Sequence, residues 1–110
     1  MSVYDIESRS LVRVRDFLRG AVRLHVLHHA AESDLHGAWM AEELARHGYE
    51  ISPGTLYPTL HRMEAEGLLS SRHEVVDGRR RRVYRATEQG REALEAMRVA
   101  LRELADEVLK

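Results

Sequence analysis

Histidine and arginine are the residues of this chain whose number and spacing could do chemistry. Seven histidines occur in 110 residues, with no cysteine at all. Four of them, His25, His28, His29 and His36, lie close together. On a helix, His25 shares a face with His28 and His29, three and four residues on, the spacing at which two imidazoles can hold one metal ion. Glu32 continues that face. Without thiolates, such a site would offer nitrogen and oxygen donors, suited to zinc or another borderline divalent cation. The four histidines are therefore a candidate metal or pH sensor, although nothing in the sequence requires a cofactor. A plainer alternative has them capping the negative end of a helix and lying on its wet side.

Arginine is concentrated elsewhere. The net charge is −1, yet the stretch from Arg72 to Arg85 holds six arginines against Glu74 and Asp77, a local balance of +4 that leaves −5 on the remainder. Arg79, Arg80, Arg81 and Arg82 are consecutive, and Lys110 is the sole lysine of the chain. Four like charges in a row repel one another, so an anionic partner explains them better than an edge strand guarded by charge. Guanidinium groups suit bidentate contact with phosphate. Enzyme chemistry finds little footing: there is no His-Glu-x-x-His pair, no glycine-rich phosphate loop and no serine elbow. Ser70 and Ser71, near His73, lack an orienting carboxylate at a recognisable spacing.

The elements that must position these groups follow from periodicity. With 44% hydrophobic and 32% charged residues, the chain reads as one soluble, helix-rich domain. No apolar run approaches a membrane span, and MSVYDIESRS is not a signal segment, so the expected location is the cytoplasm. From Ser10 to Ala31, Leu11, Val14, Leu18, Val22, Leu24 and Leu27 form an apolar stripe, with Gly20 hinting at close approach of another backbone. His36-Gly37 opens a second helix that ends at Gly48, with Trp39, Met40, Leu44 and Ala45 as its buried side. After the short link Tyr49-Glu50-Ile51, Ser52 is placed to cap a third helix and Pro53 suits its first position. Leu56, Leu60 and Met63 form its inner stripe, and Thr55, Thr59, Arg62 and Glu66 its outer face. Gly67 ends it. Pro58 implies a late start near Thr55 or a bent first turn. Two helices joined by so short a link match a helix-turn-helix, with the third helix able to enter a DNA major groove.

Beyond Gly67 the period changes. Asp77-Gly78 between two strand-like runs signals a hairpin with the arginines at its tip. Thr87 then caps a last helix reaching Lys110, on which Leu94, Met97, Leu101, Leu104 and Val108 recur at spacings of three and four. That seam fits self-association as a homodimer; the alternative is packing on the first helix of the same chain. The expected fold is mainly α with a small β-hairpin. It is a winged helix-turn-helix over residues 10–86 plus a C-terminal dimerisation helix over 87–110 that packs with the first helix as one unit.

The run SPGTLYPTLHRMEAEGLL (Ser52 to Leu69), then DGRRRRVYRATEQGREAL (Asp77 to Leu94), with Leu35-His36-Gly37 ahead of both, resembles the PadR family of bacterial transcriptional regulators. The likeness runs from about Leu18 to Leu94, and the single helix after the wing matches the short subfamily. It implies a homodimeric repressor of a palindromic operator, on double-stranded DNA, released by a small molecule; the histidines add a metal as the alternative effector. It also implies DNA contact from Ser52, Thr55, Tyr57, Thr59 and Arg62, and a wing formed by Gly78, Arg79, Arg80, Arg81 and Arg82. His36 would then belong to a structural His-Gly turn. Where the family has tyrosine after that turn, this chain has Ala38 and then Trp39, a candidate effector-pocket wall. Two rival readings remain: a winged-helix protein–protein interaction module that uses the same surfaces for a protein partner, and a metal-binding sensor without specific DNA binding.

Overall fold

The computed structural model describes residues 8–48 and 51–110, with side chains from residue 14 onward. Leu11 of the predicted stripe and Tyr49 and Glu50 of the link lie outside the described side chains. Among the described residues, the order is α1 (Ser8–Glu32), β1 (Leu35–His36), α2 (Gly37–Arg46), α3 (Pro53–Ala65), β2 (Leu69–Val76), β3 (Arg79–Ala86) and α4 (Glu88–Val108). The fold is mainly helical, with one small antiparallel sheet in the order β1-β3-β2. No helix among the described residues is long and apolar enough to cross a membrane.

Local chemistry sets most boundaries. Asp77 and Gly78 both have positive φ, 52° and 76°, the geometry of the two-residue turn that Asp-Gly favours. Val76 consequently faces Arg79, and the register runs without a bulge to Leu69 opposite Ala86. Gly67, with φ 83°, closes α3: its N–H donates to the Glu64 carbonyl, and the Leu68 N–H donates to the Met63 carbonyl. Thr87 joins the pieces. Its Oγ1 accepts from the Gly90 N–H at 2.9 Å and donates to the Gly67 carbonyl at 2.6 Å. A Cβ on Gly90 would stand 2.1 Å from the Leu68 carbonyl oxygen, so α4 begins pressed against the corner that ends α3.

The core gathers Val26, Leu27 and Ala30 of α1, Met40 and Leu44 of α2, and Leu56, Leu60 and Met63 of α3. Leu35, Leu69 and Tyr84 cover them from the sheet, and Leu94 from α4. The outer parts of the long helices stay bare: Phe17, Leu101, Leu104 and Val108 are all exposed. The radius of gyration is 15.0 Å, against about 13 Å for a compact chain of this length, because those helices reach past the core.

Several expectations are revised. A short strand, β1, that the sequence did not announce precedes α2; Leu35 pairs with Tyr84 and His36 with Val83. Helix α3 starts at Pro53, not later, and carries Pro58 in its interior. Ser52 makes no side-chain cap; its hydroxyl donates to Thr55 Oγ1 at 3.3 Å. The buried side of α2 is Gly37, Met40, Glu43 and Leu44, whereas Trp39 and Ala45 face outward. Helix α2 starts in close contact with α3: a Cβ at Gly37 would meet the Tyr57 ring at 2.4 Å. Gly20 has nothing within 4 Å of the Cβ position, so no backbone of the described chain approaches it.

Candidate nucleic-acid interface

Because Leu56, Leu60 and Met63 are buried, the opposite side of α3 is turned outward. It exposes Gly54, Thr55, Pro58, His61, Arg62 and Ala65. Tyr57 flanks this face and is 40% exposed. The face is nearly free of acid until Glu66, which is ion-paired to Arg23 of α1. Small and hydroxyl-bearing residues near a helix start, followed by an imidazole and a guanidinium, can approach a base edge closely and hydrogen-bond to it.

The hairpin stands beside that helix. Strand periodicity divides its arginines between two faces. Arg80 and Arg82 share the face of Tyr84, the α3 side, while Arg79 and Arg81 share the face of Val83. Arg82 is held near Glu64 at 3.9 Å, and Glu64 also accepts from Ser71 Oγ at 2.7 Å. Arg79, Arg80 and Arg81 have no ion-pair partner among the described residues and are exposed. At the base of the sheet the same residue type is fully engaged: Arg72 reaches Asp34 at 2.5 Å and Arg85 reaches it at 3.3 Å. The bond from Arg72 holds the Asp34 carboxyl below its ordinary range. A half-open cleft of about 400 Å³ joins the two elements, lined by Tyr57 and His61 from α3 and by Arg80, Arg81 and Arg82 from the wing. Helix and wing thus present one continuous cationic, hydroxyl-rich surface.

The profile of the transcriptional regulator PadR-like family matches residues 26–96, from the inner half of α1 to the first turns of α4. The chain belongs to the PadR-like family of transcriptional regulators. It is 68% identical over 96 residues to the transcriptional regulator Rv3488 of Mycobacterium tuberculosis, covering 87% of this chain and 90% of that protein. The transcriptional regulator YqjI of Escherichia coli is 34% identical over 101 residues, and there the match spans 47% of the relative. Among solved structures, a PadR family regulator from Eggerthella lenta superposes with a TM-score of 0.80 at 31% identity, covering 96% of this chain and 91% of that one. A PadR-like regulator from Bacillus cereus superposes with a TM-score of 0.77 at 26% identity, over 84% and 92%.

Within this PadR-like fold, the residues singled out from sequence separate. Ser52, Thr55, Tyr57 and Arg62 lie on or beside the outward face of α3, and Gly78 with Arg79 to Arg82 forms the wing. Thr59 does not reach that face. It is buried, and its hydroxyl donates to the Thr55 carbonyl at 2.9 Å. Its place is taken by His61, which sequence reading passed over. The signal was present: Thr59 lies three residues from Leu56 and four from Met63, at the flank of the inner stripe, whereas His61 is opposite it.

The four grouped histidines also part company. His36 sits on β1, 3.3 Å from Glu74 of β2. The potential ligand sets among the described residues are His25, Glu43 and His47, and separately His28, His29 and Glu32. Glu43 comes from α2 and His47 from the residue that caps it, beyond the reach of spacing rules on α1. Trp39 does not line the cleft between α3 and the wing; it is 45% exposed, with its ring centroid 4.9 Å from that of His29 and nearly perpendicular to it. The seam of α4 splits in two: Leu94 is buried and Met97 packs on the core, while Leu101, Leu104 and Val108 remain bare.

Proposed function

We propose that this PadR-like regulator is a homodimeric repressor that binds a palindromic operator in double-stranded DNA. The observation carrying this reading is the continuity of the outward face of α3 with the unpaired arginines of the wing. Arg62, His61, Thr55 and Tyr57 would select sequence, and Arg79, Arg80 and Arg81 would grip phosphates.

Dimerisation is supported by the bare half of α4. Leu101, Leu104 and Val108 continue the period begun by Leu94 and Met97 but find no cover among the described residues, and Phe17 of α1 is 65% exposed. An apolar stripe of this length on a free helix calls for a partner of like kind. A second copy supplies one and also brings two recognition helices to two half-sites.

Selection of binding sites from random DNA tests the proposal. It should enrich inverted repeats whose half-sites are separated by about one helical turn, 10–10.5 bp, or a multiple. The Leu101→Glu/Leu104→Glu variant should sediment as a monomer and lose operator binding while keeping its helical circular dichroism. Failure to enrich any sequence with folded, dimeric protein would leave the protein-partner reading in its place.

A further inference from the structure

We propose that His25, His29, Glu43 and His47 form a binding site for a borderline divalent cation such as zinc, clamping α1 to α2. The site is built from two i,i+4 pairs on facing helices, His25 with His29 and Glu43 with His47. Side chains at that spacing project from one helix face, and two such faces brought together are a recurrent way to make a metal centre between helices.

The distances fit. His47 Nε2 lies 3.1 Å from Glu43 Oε2, and His29 Nε2 lies 3.3 Å from the same oxygen. Donors bound tetrahedrally to zinc at about 2.0–2.1 Å stand about 3.3 Å apart. One donor atom each from His25, Glu43 and His47 falls within 4.8 Å of the others. The rings of His25 and His29 stack at 5.0 Å, and His47 meets His25 edge-on at 4.8 Å. His29 Nε2 is buried, and its 3.3 Å approach to Glu43 Oε2 lacks the alignment of a hydrogen bond. A buried ring nitrogen without a hydrogen bond is unusual, and ligation would satisfy it.

The surroundings suit a resident cation. Glu43 is buried, and Arg46 binds its Oε1, leaving Oε2 to the histidines. An outer partner of this kind fixes a carboxylate ligand in orientation. Burial and the neighbouring histidines hold His25 and His29 below the ordinary imidazole range, which keeps both rings neutral near pH 7. His47 is half exposed, which gives an ion a route in. The second set, His28 with His29 and Glu32, is the poorer choice. The Arg98 guanidinium stands 3.2 Å from His28 Nδ1, and Glu32 is 63% exposed.

Occupation would reach the DNA-binding surface, a consequence that rests on the operator-binding reading above. His47 is the C-cap of α2, at the start of the link to α3. The other end of the clamp is α1, which is tied to α4 by Arg91 donating to the Ala31 carbonyl at 3.2 Å. Metal therefore couples the recognition helix to the helix proposed to carry the dimer.

Metal-free protein titrated with zinc tests the site, followed by calorimetry and by the emission of Trp39, the one tryptophan of the chain, whose ring borders His29. Cobalt(II) in place of zinc reports coordination by its visible absorption. One ion per chain is expected, with a strong tetrahedral cobalt spectrum. His25→Gln and His47→Gln should each weaken binding at least tenfold, while His28→Gln and His73→Gln bind as the parent does. Absence of binding at micromolar zinc, or an equal loss in His28→Gln and His47→Gln, overturns the site. Operator affinity with and without zinc is the second readout, where a change of about fivefold or more is expected. An unchanged affinity overturns the coupling but not the site. If no DNA is bound in either state, the operator-binding reading fails while the Trp39 and cobalt signals still decide the metal site.

Discussion

Two groups of arginines in this molecule have the same chemistry and opposite employment. At the base of the sheet, Arg72 and Arg85 converge on Asp34 and tie the hairpin to the loop after α1. At the tip, Arg79, Arg80 and Arg81 are exposed and have no acidic partner among the described residues. A charge that is satisfied internally is structural; one held out and unneutralised is available to a ligand. Arg82 stands between the two, loosely held by Glu64 while bordering the cleft. A surface charge count would score all of these residues alike.

The largest effect should come from the tip. Changing Arg79, Arg80 and Arg81 together to alanine should reduce DNA affinity on the order of a hundredfold near 0.15 M salt, as expected for three lost phosphate contacts. Thermal stability should not fall. Equal loss on cognate and random DNA, measured by fluorescence anisotropy, would mark these as phosphate contacts.

Arg62 offers the next contrast, because it lies on the face that would read bases. Arg62→Ala should remove about 1–3 kcal/mol of preference for the cognate site while binding to random DNA changes little. Thr59→Val, one turn back but buried, should leave sequence choice intact and alter stability by no more than about 1 kcal/mol, the net worth of a typical hydrogen bond. A specificity change in the Thr59 variant that matched the one in Arg62→Ala would show that α3 turns a different face to DNA.

The smallest effect belongs to the base, and it depends on pH. Asp34 has a depressed carboxyl pKa in the folded chain. Its contribution to stability is therefore full above the ordinary value of 3.8 and is lost as pH falls through the folded value. Asp34→Asn should melt below the parent at pH 7, and the gap should close in acid below pH 3.8, as followed by circular dichroism. A gap that persisted in acid would mean that the Arg72 and Arg85 contacts stabilise through packing and not charge.

What could be read from sequence was local. The Asp77-Gly78 turn, the Gly67 stop and the Thr87 cap each declare themselves within a few residues, because backbone conformation or a single hydrogen bond dictates the residue type. The winged helix, the wing arginines and most of the outward face of α3 followed from these signals. What stayed hidden depended on distant partners. Strand β1 is two residues long and exists because Leu35 and His36 meet Tyr84 and Val83 almost fifty residues later. Glu43 looks like any surface acid on α2 until α1 brings His29 against it. Trp39 is apolar by type, but α2 buries Gly37, Met40, Glu43 and Leu44 and so leaves it facing outward. The period of α4 identified the seam positions; only the fold shows that Leu94 and Met97 pack on the core while Leu101, Leu104 and Val108 are exposed.

The division of labour among the arginines is tested most directly by the salt dependence of DNA binding in two variants side by side. One lacks Arg79, Arg80 and Arg81; the other carries Arg72→Ala and Arg85→Ala. The plot of log affinity against log salt should flatten by roughly 3 for the tip variant, about 0.9 for each phosphate contact, and keep its parental slope for the base variant. Equal flattening in both, or a parental slope in the tip variant, would contradict the assignment of the wing as the DNA-gripping surface.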